Sequence, residues 1–311
     1  MKKSKILMIA LVVCLVVLGV GAVMIFGNNI GLTYANADQY TAGETTVTGE
    51  VENIDVNWLS GNVRVEYHTG EGIRVTETGN KTIAGDDQLR WWLDGTTLRI
   101  QYAKSGRIRL FDNLEKTLTV SLPEGTVLKT AKIHTTSGDL DIPKLTADET
   151  ELTVTSGNVN AAADTRKMTV SATSGDLNVR LEGETDTVSI GVTSGSISAE
   201  LGTVKKLTVK STSGNIRVSG RADDAEISAT SGTVNVWFGV FRNLKISVTS
   251  GDVTAALPEN PGFSCTAEVT SGNIDFGFAM AKEGNTYYCG DRSGNCTIKT
   301  TSGNIRINKA D

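Results

Sequence analysis

From about residue 131 to the C-terminus, apolar and polar side chains alternate in short runs, and each run is broken by a Ser-Gly pair. Aligned on the glycine of Thr-Ser-Gly, the position two residues later holds Leu140, Val159, Leu177, Ile197, Ile216, Val234, Val253, Ile274 and Ile305, a branched aliphatic every time. Four residues after the glycine stand Ile142, Val179, Val218 and their equivalents; five before it stand Ile133, Leu152, Val170 and theirs. A period of two on both sides of the glycine predicts two β-strands per unit, each with one buried face, joined at Ser-Gly. A helix would need spacings of three and four.

The nine glycines are Gly138, Gly157, Gly175, Gly195, Gly214, Gly232, Gly251, Gly272 and Gly303, at spacings of 19, 18, 20, 19, 18, 19, 21 and 31. Self-similarity at a short, nearly fixed period is the mark of a solenoid. One coil has nothing behind its apolar face, so burial requires parallel stacking of coils about 4.8 Å apart. The expected fold is therefore all-β: a parallel β-helix, or β-solenoid, with coils of about 19 residues. The same grammar occurs earlier, where "NIDVNWLSGNVRVEY" (53–67) sets Ile54, Val56, Val63 and Val65 around Gly61. The 77 residues from Gly61 to Gly138 come close to four periods and carry the strand-like pieces "IRVTET", "TLRIQY" and "TLTVSLPEGT". One solenoid over 45–311 is expected, with irregular coils at 45–130, regular ones at 131–311, and Lys309 and Asp311 of "RINKAD" closing an exposed end.

The N-terminus is different. Lys2, Lys3 and Lys5 precede an uncharged apolar run from Ile6 to Phe26. Its 21 residues make about 31 Å of helix, enough to cross a bilayer. A cleaved signal has a shorter apolar core, and the Ala-x-Ala pattern of "YANA" (34–37) lies far beyond Phe26. The expectation is a basic cytoplasmic tip (1–5), an uncleaved single-pass anchor (6–26) and a linker (27–44). The positive-inside rule leaves the N-terminus inside the cell membrane and the C-terminal domain outside.

Composition narrows the function. A formal net charge of -5 argues against nucleic acid, whose binders carry a basic face. With 33 Gly and 4 Pro, the chain suits short strands and tight turns. Calcium is the chemical rival for the repeated turn, yet the residue after the glycine is Asp139, Asp176 or Asp252 in three copies, Asn in four, and Ser196 or Thr233 in two. A required hard-cation ligand would not drift to Thr, so the tripeptide reads as a corner and no metal or cofactor is expected. His68 and His134 have no nucleophile motif around them, His134 is on the outward parity, and the outward acids Glu226 and Asp275 are scattered. No catalytic residue is assigned, and the protein is not expected to be an enzyme.

Two groups remain. Trp237 falls between the inward positions Val236 and Phe238 and so points outward, as does one of Trp91 and Trp92; these are the candidate binding surface. Cys265 and Cys296 each lie seven residues before a repeat glycine, a register that brings them within disulfide reach on adjacent coils. Cys289, in the 280–295 insertion, competes for either partner.

The repeated "TSGDL", "TSGNI" and "TSGNV" strands, entered through "TLTVSLPEGT" and preceded by a basic, membrane-spanning N-terminus, resemble a bacterial adhesin-type family of unknown function, also called the toastrack domain. The resemblance covers roughly 45–311. It implies a β-helical extracytoplasmic domain of mostly Gram-positive bacteria, with roles in cell-envelope stress or surface adhesion and no established catalytic residues. The expected function is a membrane-tethered scaffold or adhesin-like surface for an unidentified envelope or protein partner. The alternatives are a homo-oligomeric polymer formed by end-to-end coil stacking, and a polysaccharide-processing β-helix enzyme.

Overall fold

The computed structural model describes residues 33–106, 114–260 and 262–310. The expected anchor at 6–26 lies outside the described residues, among which no helix is long and apolar enough to cross a membrane. The strands wind into one continuous sheet, predominantly parallel. The coil rule read from the sequence holds residue by residue. Ile197 pairs with Ile216 and Ile216 with Val234, while Val209, Ile227 and Ile246 align five residues before their glycines. These columns are buried in a single core running the length of the stack.

The order of the coils is not the order of the sequence. At the C-terminal end, strand Gly294–Ser302 lies between Val234–Ser250 and Gly262–Ser271, and Ile305–Lys309 lies between Val253–Leu257 and Ile274–Phe276. The last coil in sequence is therefore inserted next to last in the stack, so Lys309 is not at an exposed end. The insertion supplies the cap instead: Thr286–Gly290 pairs antiparallel with Gly262–Ser271, and Ala281–Glu283 pairs onto it in turn.

The N-terminal end uses the same device. Thr97–Gln101 and Lys116–Pro123 form the outermost coil, parallel to Asn53–Ser60 and Val63–His68, and the chain then returns to the far side of the Gly61 coil. Antiparallel strands Arg90–Asp94 and Ile73–Gly79 close the two edges, themselves covered by Thr41–Ala42 and Thr45–Val47. The stretch between Gly61 and Gly138 thus holds one extra coil plus caps, not four periods. Edge strands two or three residues long leave little for another chain to pair with, which disfavours an end-to-end polymer.

The corner has a physical explanation at each glycine. The nine repeat glycines have φ between 130° and 145°, open only to a residue without Cβ. A Cβ at any of them would sit 1.9–2.2 Å from the carbonyl oxygen of the glycine in the neighbouring coil. The residue after the glycine forms a second ladder. The Asp139 side chain accepts from the Asn158 amide at 2.7 Å, Asn158 from Asp176 at 2.9 Å, and Asp176 from Ser196 at 2.7 Å. Asp and Asn are interchangeable there because each offers a side-chain oxygen to the next coil.

The outermost N-terminal coil breaks the glycine ladder. The Lys116 carbonyl takes the place of the glycine carbonyl, 2.1 Å from a Cβ built on Gly61. The Lys116 side chain is fully buried, ion-paired with Glu77 at 2.6 Å, and lies 4.9 and 4.2 Å from the ring centroids of Trp58 and Tyr102. Trp58 Nε1 donates to the Lys116 carbonyl at 3.0 Å. A charge shielded by two aromatic faces and a carboxylate thus fills the open end of the core.

Candidate binding surface

Outward side chains on the strands are mostly Ser, Thr and charged residues, and the charges pair between coils. Glu149 meets Lys167 at 2.6 Å, Asp186 meets Lys205 at 2.6 Å, Glu226 meets Lys245 at 2.8 Å and Asp275 meets Arg306 at 3.3 Å. Lys245 holds Glu226 below the usual carboxylate range; Lys205 does the same for Asp186, and Asn243 with Arg242 for Asp224. Glu226 and Asp275 are therefore ladder rungs. Acid–base chemistry needs two groups pushed apart in pKa, and Asp186, Asp224 and Glu226 are pushed down together. His134 is half-buried rather than a plain surface residue, and burial lowers its pKa. Its strand faces the ladder residues Asn57 and Thr153.

The tryptophans separate. Trp91 and Trp92 lie on Arg90–Asp94, half-buried, and Tyr40 stacks edge-on against Trp92 at 5.6 Å. They belong to the N-terminal cap, and neither is open. Trp237 is 44% exposed. Its inward neighbour Phe238 is fully buried, as is Leu257, whereas Phe278 is only half-buried against Phe263 in the C-terminal cap. Among the described residues the exposed large hydrophobics are Val127, Trp237 and Val240, so two of the three are three residues apart.

Trp237 borders a strip the sequence reading missed. Gly183, Gly202, Gly220 and Gly239 recur near the same corner of successive coils, out of strict register, and with Leu201, Thr203, Arg221 and Trp237 they line a groove of about 320 Å³. The pairing register slips here, between Glu200 and Thr203 and between Gly220 and Arg221. Such bulges bend the strand and re-aim side chains. A Cβ on Gly202 or Gly220 would meet the carbonyl of Gly183 or Leu201 at 2.3 or 2.1 Å, so the backbone here stays bare. The register partners of Trp237 are Ser219 and Ala256, too small to cover it. The signal was the 19, 18 and 19 spacing of these glycines, hidden by the louder repeat.

A second depression, about 700 Å³, follows the Thr-Ser corner toward the C-terminal end, bounded by Ser228, Thr230, Ser247, Thr249, Lys299 and Thr301 among others. It is lined by repeat residues. Among the described residues no three of His, Cys, Asp or Glu converge as metal ligands.

The cysteines lie as the register requires: Cys265 pairs with Cys296 on neighbouring parallel strands, and both are buried. All three thiols are free in this structure. Burial, then the hydrogen bond to Cys265, raises the Cys296 thiol well above its ordinary range. Cys289 is paired with Phe263 across the antiparallel cap, and its sulfur donates to the Glu259 carbonyl at 3.8 Å.

The molecule is thus a capped solenoid with many of its outward acids paired between coils and two of its three exposed large hydrophobics at one strip. The chain belongs to the family described as Toastrack DUF4097, whose model matches residues 51–241 and 239–308. Among solved structures it is similar to a "putative cell adhesion protein" from Clostridium sporogenes, at 13% identity and TM-score 0.24 over 87% of this chain and 99% of that one. It is also similar to a "putative adhesin" from Bacteroides fragilis, at 15% identity and TM-score 0.38 over 87% and 96%. A "putative lipid binding protein" from Parabacteroides distasonis matches at 14% identity and TM-score 0.31 over 88% and 97%. No curated protein matches.

Proposed function

We propose that this protein is a non-enzymatic binding scaffold of the adhesin type, tethered to the cell membrane through 6–26 and holding its solenoid outside the cell against an envelope component. The observation that carries the reading is the exposure of Trp237 on a glycine-lined groove, with Val240 exposed three residues on, beside coils whose outward charges pair with one another. The apolar run of 6–26 and its flanking lysines support the tether and its orientation. The resemblance of the repeat to the toastrack family, of which the chain is a member, implies the extracytoplasmic role in adhesion or envelope stress that this reading adopts. The stacked coils make a rigid platform that displaces the strip from the bilayer.

The test is localisation followed by contact. The full chain, expressed with a C-terminal epitope in a Gram-positive host, should sediment with membranes, and protease added to intact protoplasts should digest the epitope. Crosslinking on whole cells should then capture a wall, membrane or surface-protein component. An epitope protected from external protease, or a chain that crosslinks to nothing in the envelope, would overturn the proposal.

A further inference from the structure

We propose that the glycine-paved strip beside Trp237 is a binding site for an acidic saccharide, a sugar chain whose pyranose rings carry carboxylates. This rests on the reading of the protein as an envelope-binding scaffold and names the chemistry of its ligand. Four features converge. First, Trp237 is the aromatic member of a column of outward residues otherwise occupied by Arg180, Glu200, Ser219 and Ala256. An indole left open by small neighbours offers a π-face to the C–H face of a sugar ring, as exposed Trp does at recognition surfaces.

Second, the groove is the right kind of concavity. At about 320 Å³ it stands at the small end of ligand clefts, which run from roughly 300 to 1,000 Å³. Its lining is largely glycine backbone with Thr203 and Trp237, Leu201 being buried in the core beneath, so a ring lying along it meets peptide groups, a hydroxyl and the indole.

Third, the charge is poised for an anion. Arg221 is exposed, lines the groove, and is register-paired with Thr203 on one side and Val240 on the other. Unlike Arg180 and Arg242, which pair with Glu200 and Asp224, Arg221 forms no ion pair among the described residues. Its planar fork of donors matches a carboxylate in two-point contact.

Fourth, the patch is too small for the main rival, a membrane surface. Trp237 and Val240 are its exposed apolar side chains, with ion pairs on the flanking coils. Docking into lipid needs a broad apolar face.

The experiment uses the full chain in detergent micelles and follows tryptophan fluorescence and calorimetry with three probes: tetragalacturonate, the neutral galactotetraose, and phosphatidylglycerol vesicles. Tetragalacturonate should bind more tightly than galactotetraose. Trp237→Ala should weaken it about tenfold or more, the scale of losing one aromatic anchor, and Trp237→Tyr should restore most of that loss. Arg221→Gln should bring tetragalacturonate down to the affinity of galactotetraose. Unchanged melting of the variants separates binding from folding.

Tetragalacturonate affinity that ignores Trp237→Ala, or an uronate preference that survives Arg221→Gln, would overturn the site. Vesicle binding with the same dependence on Trp237 and Arg221, and no sugar binding, would replace it with a lipid site. If the sugars fail while whole envelopes still bind in a Trp237-dependent way, the ligand class is wrong and the scaffold reading stands. If envelope binding fails as well, both are wrong.

Discussion

Replacing Gly214 with Ala tests the account of the corner. Gly214 has φ 136°, and a Cβ there would lie 2.0 Å from the Gly195 carbonyl oxygen. Backbone held in a glycine-only region costs another residue about 1–3 kcal/mol. Relieving the overlap also means separating two coils at hydrogen bonds that flank the contact, Gly195 to the Ser213 carbonyl at 3.0 Å and Ile197 to the Asn215 carbonyl at 2.8 Å. At about 1 kcal/mol each, the total comes to about 3–5 kcal/mol, or roughly 6–20 °C in melting temperature for a domain of this size. Gly191 is the internal control: it has ordinary φ, and a Cβ there would meet nothing within 4 Å. Gly191→Ala should change stability by less than about 1 kcal/mol, in either direction. Thermal unfolding by circular dichroism gives the comparison, and hydrogen exchange should show the Gly214→Ala loss concentrated at the amides of 195–216, since solenoid coils couple mainly to their neighbours. Equal effects from the two substitutions would show that the close approach of the coils does not require glycine at the corner.

Other consequences follow from the ladders and the caps. Asp176→Ala removes the acceptor for the Ser196 amide and should cost about 1 kcal/mol in urea unfolding; Asp176→Asn should be nearly neutral, and added calcium should move neither melting curve. Lys116→Met strands the buried Glu77 carboxylate and should cost about 3–5 kcal/mol, much of it recovered in Lys116→Met/Glu77→Leu. Burial depresses the folded-state pKa of His134, so its contribution is complete above the unfolded value of about 6.5 and is lost as pH falls below it. His134→Gln should accordingly flatten the stability–pH slope on that side. On the proposed extracytoplasmic location, we propose a Cys265–Cys296 bridge with Cys289 free, formed before burial suppresses the thiolates. Peptide mapping that finds Cys289 joined to Cys296, or three free thiols, would contradict it.

What the sequence revealed and what it hid have one physical cause. Inward columns, corners and the Cys265–Cys296 register are set by spacing along one coil, and spacing is visible in a single chain. Coil order is set by which edges pair, and the Gly303 coil carries the same Thr-Ser-Gly, Asn and aliphatic pattern as its neighbours, so nothing local showed that it slots between the Gly251 and Gly272 coils. The caps were obscure for the opposite reason: strands as short as Thr41–Ala42 leave no periodic trace. Lys116 stood in an apparently irregular stretch, and only the stack reveals that it fills a glycine's place. At the candidate site the outward parity of Trp237 was legible, whereas the bulged glycine strip and Arg221, without an ion pair among the described residues, depend on neighbours about eighteen residues away.

The central claim is that the repeat builds the rod while residues outside it make the contact. Co-sedimentation of the purified full-length protein with cell-envelope fragments tests this most directly, comparing the native chain with Trp237→Ala and with Thr212→Val, which alters an exposed repeat position. Trp237→Ala should lose most of the binding while Thr212→Val keeps it. Binding that survives Trp237→Ala and disappears with Thr212→Val would place the contact on the repeat and contradict the account.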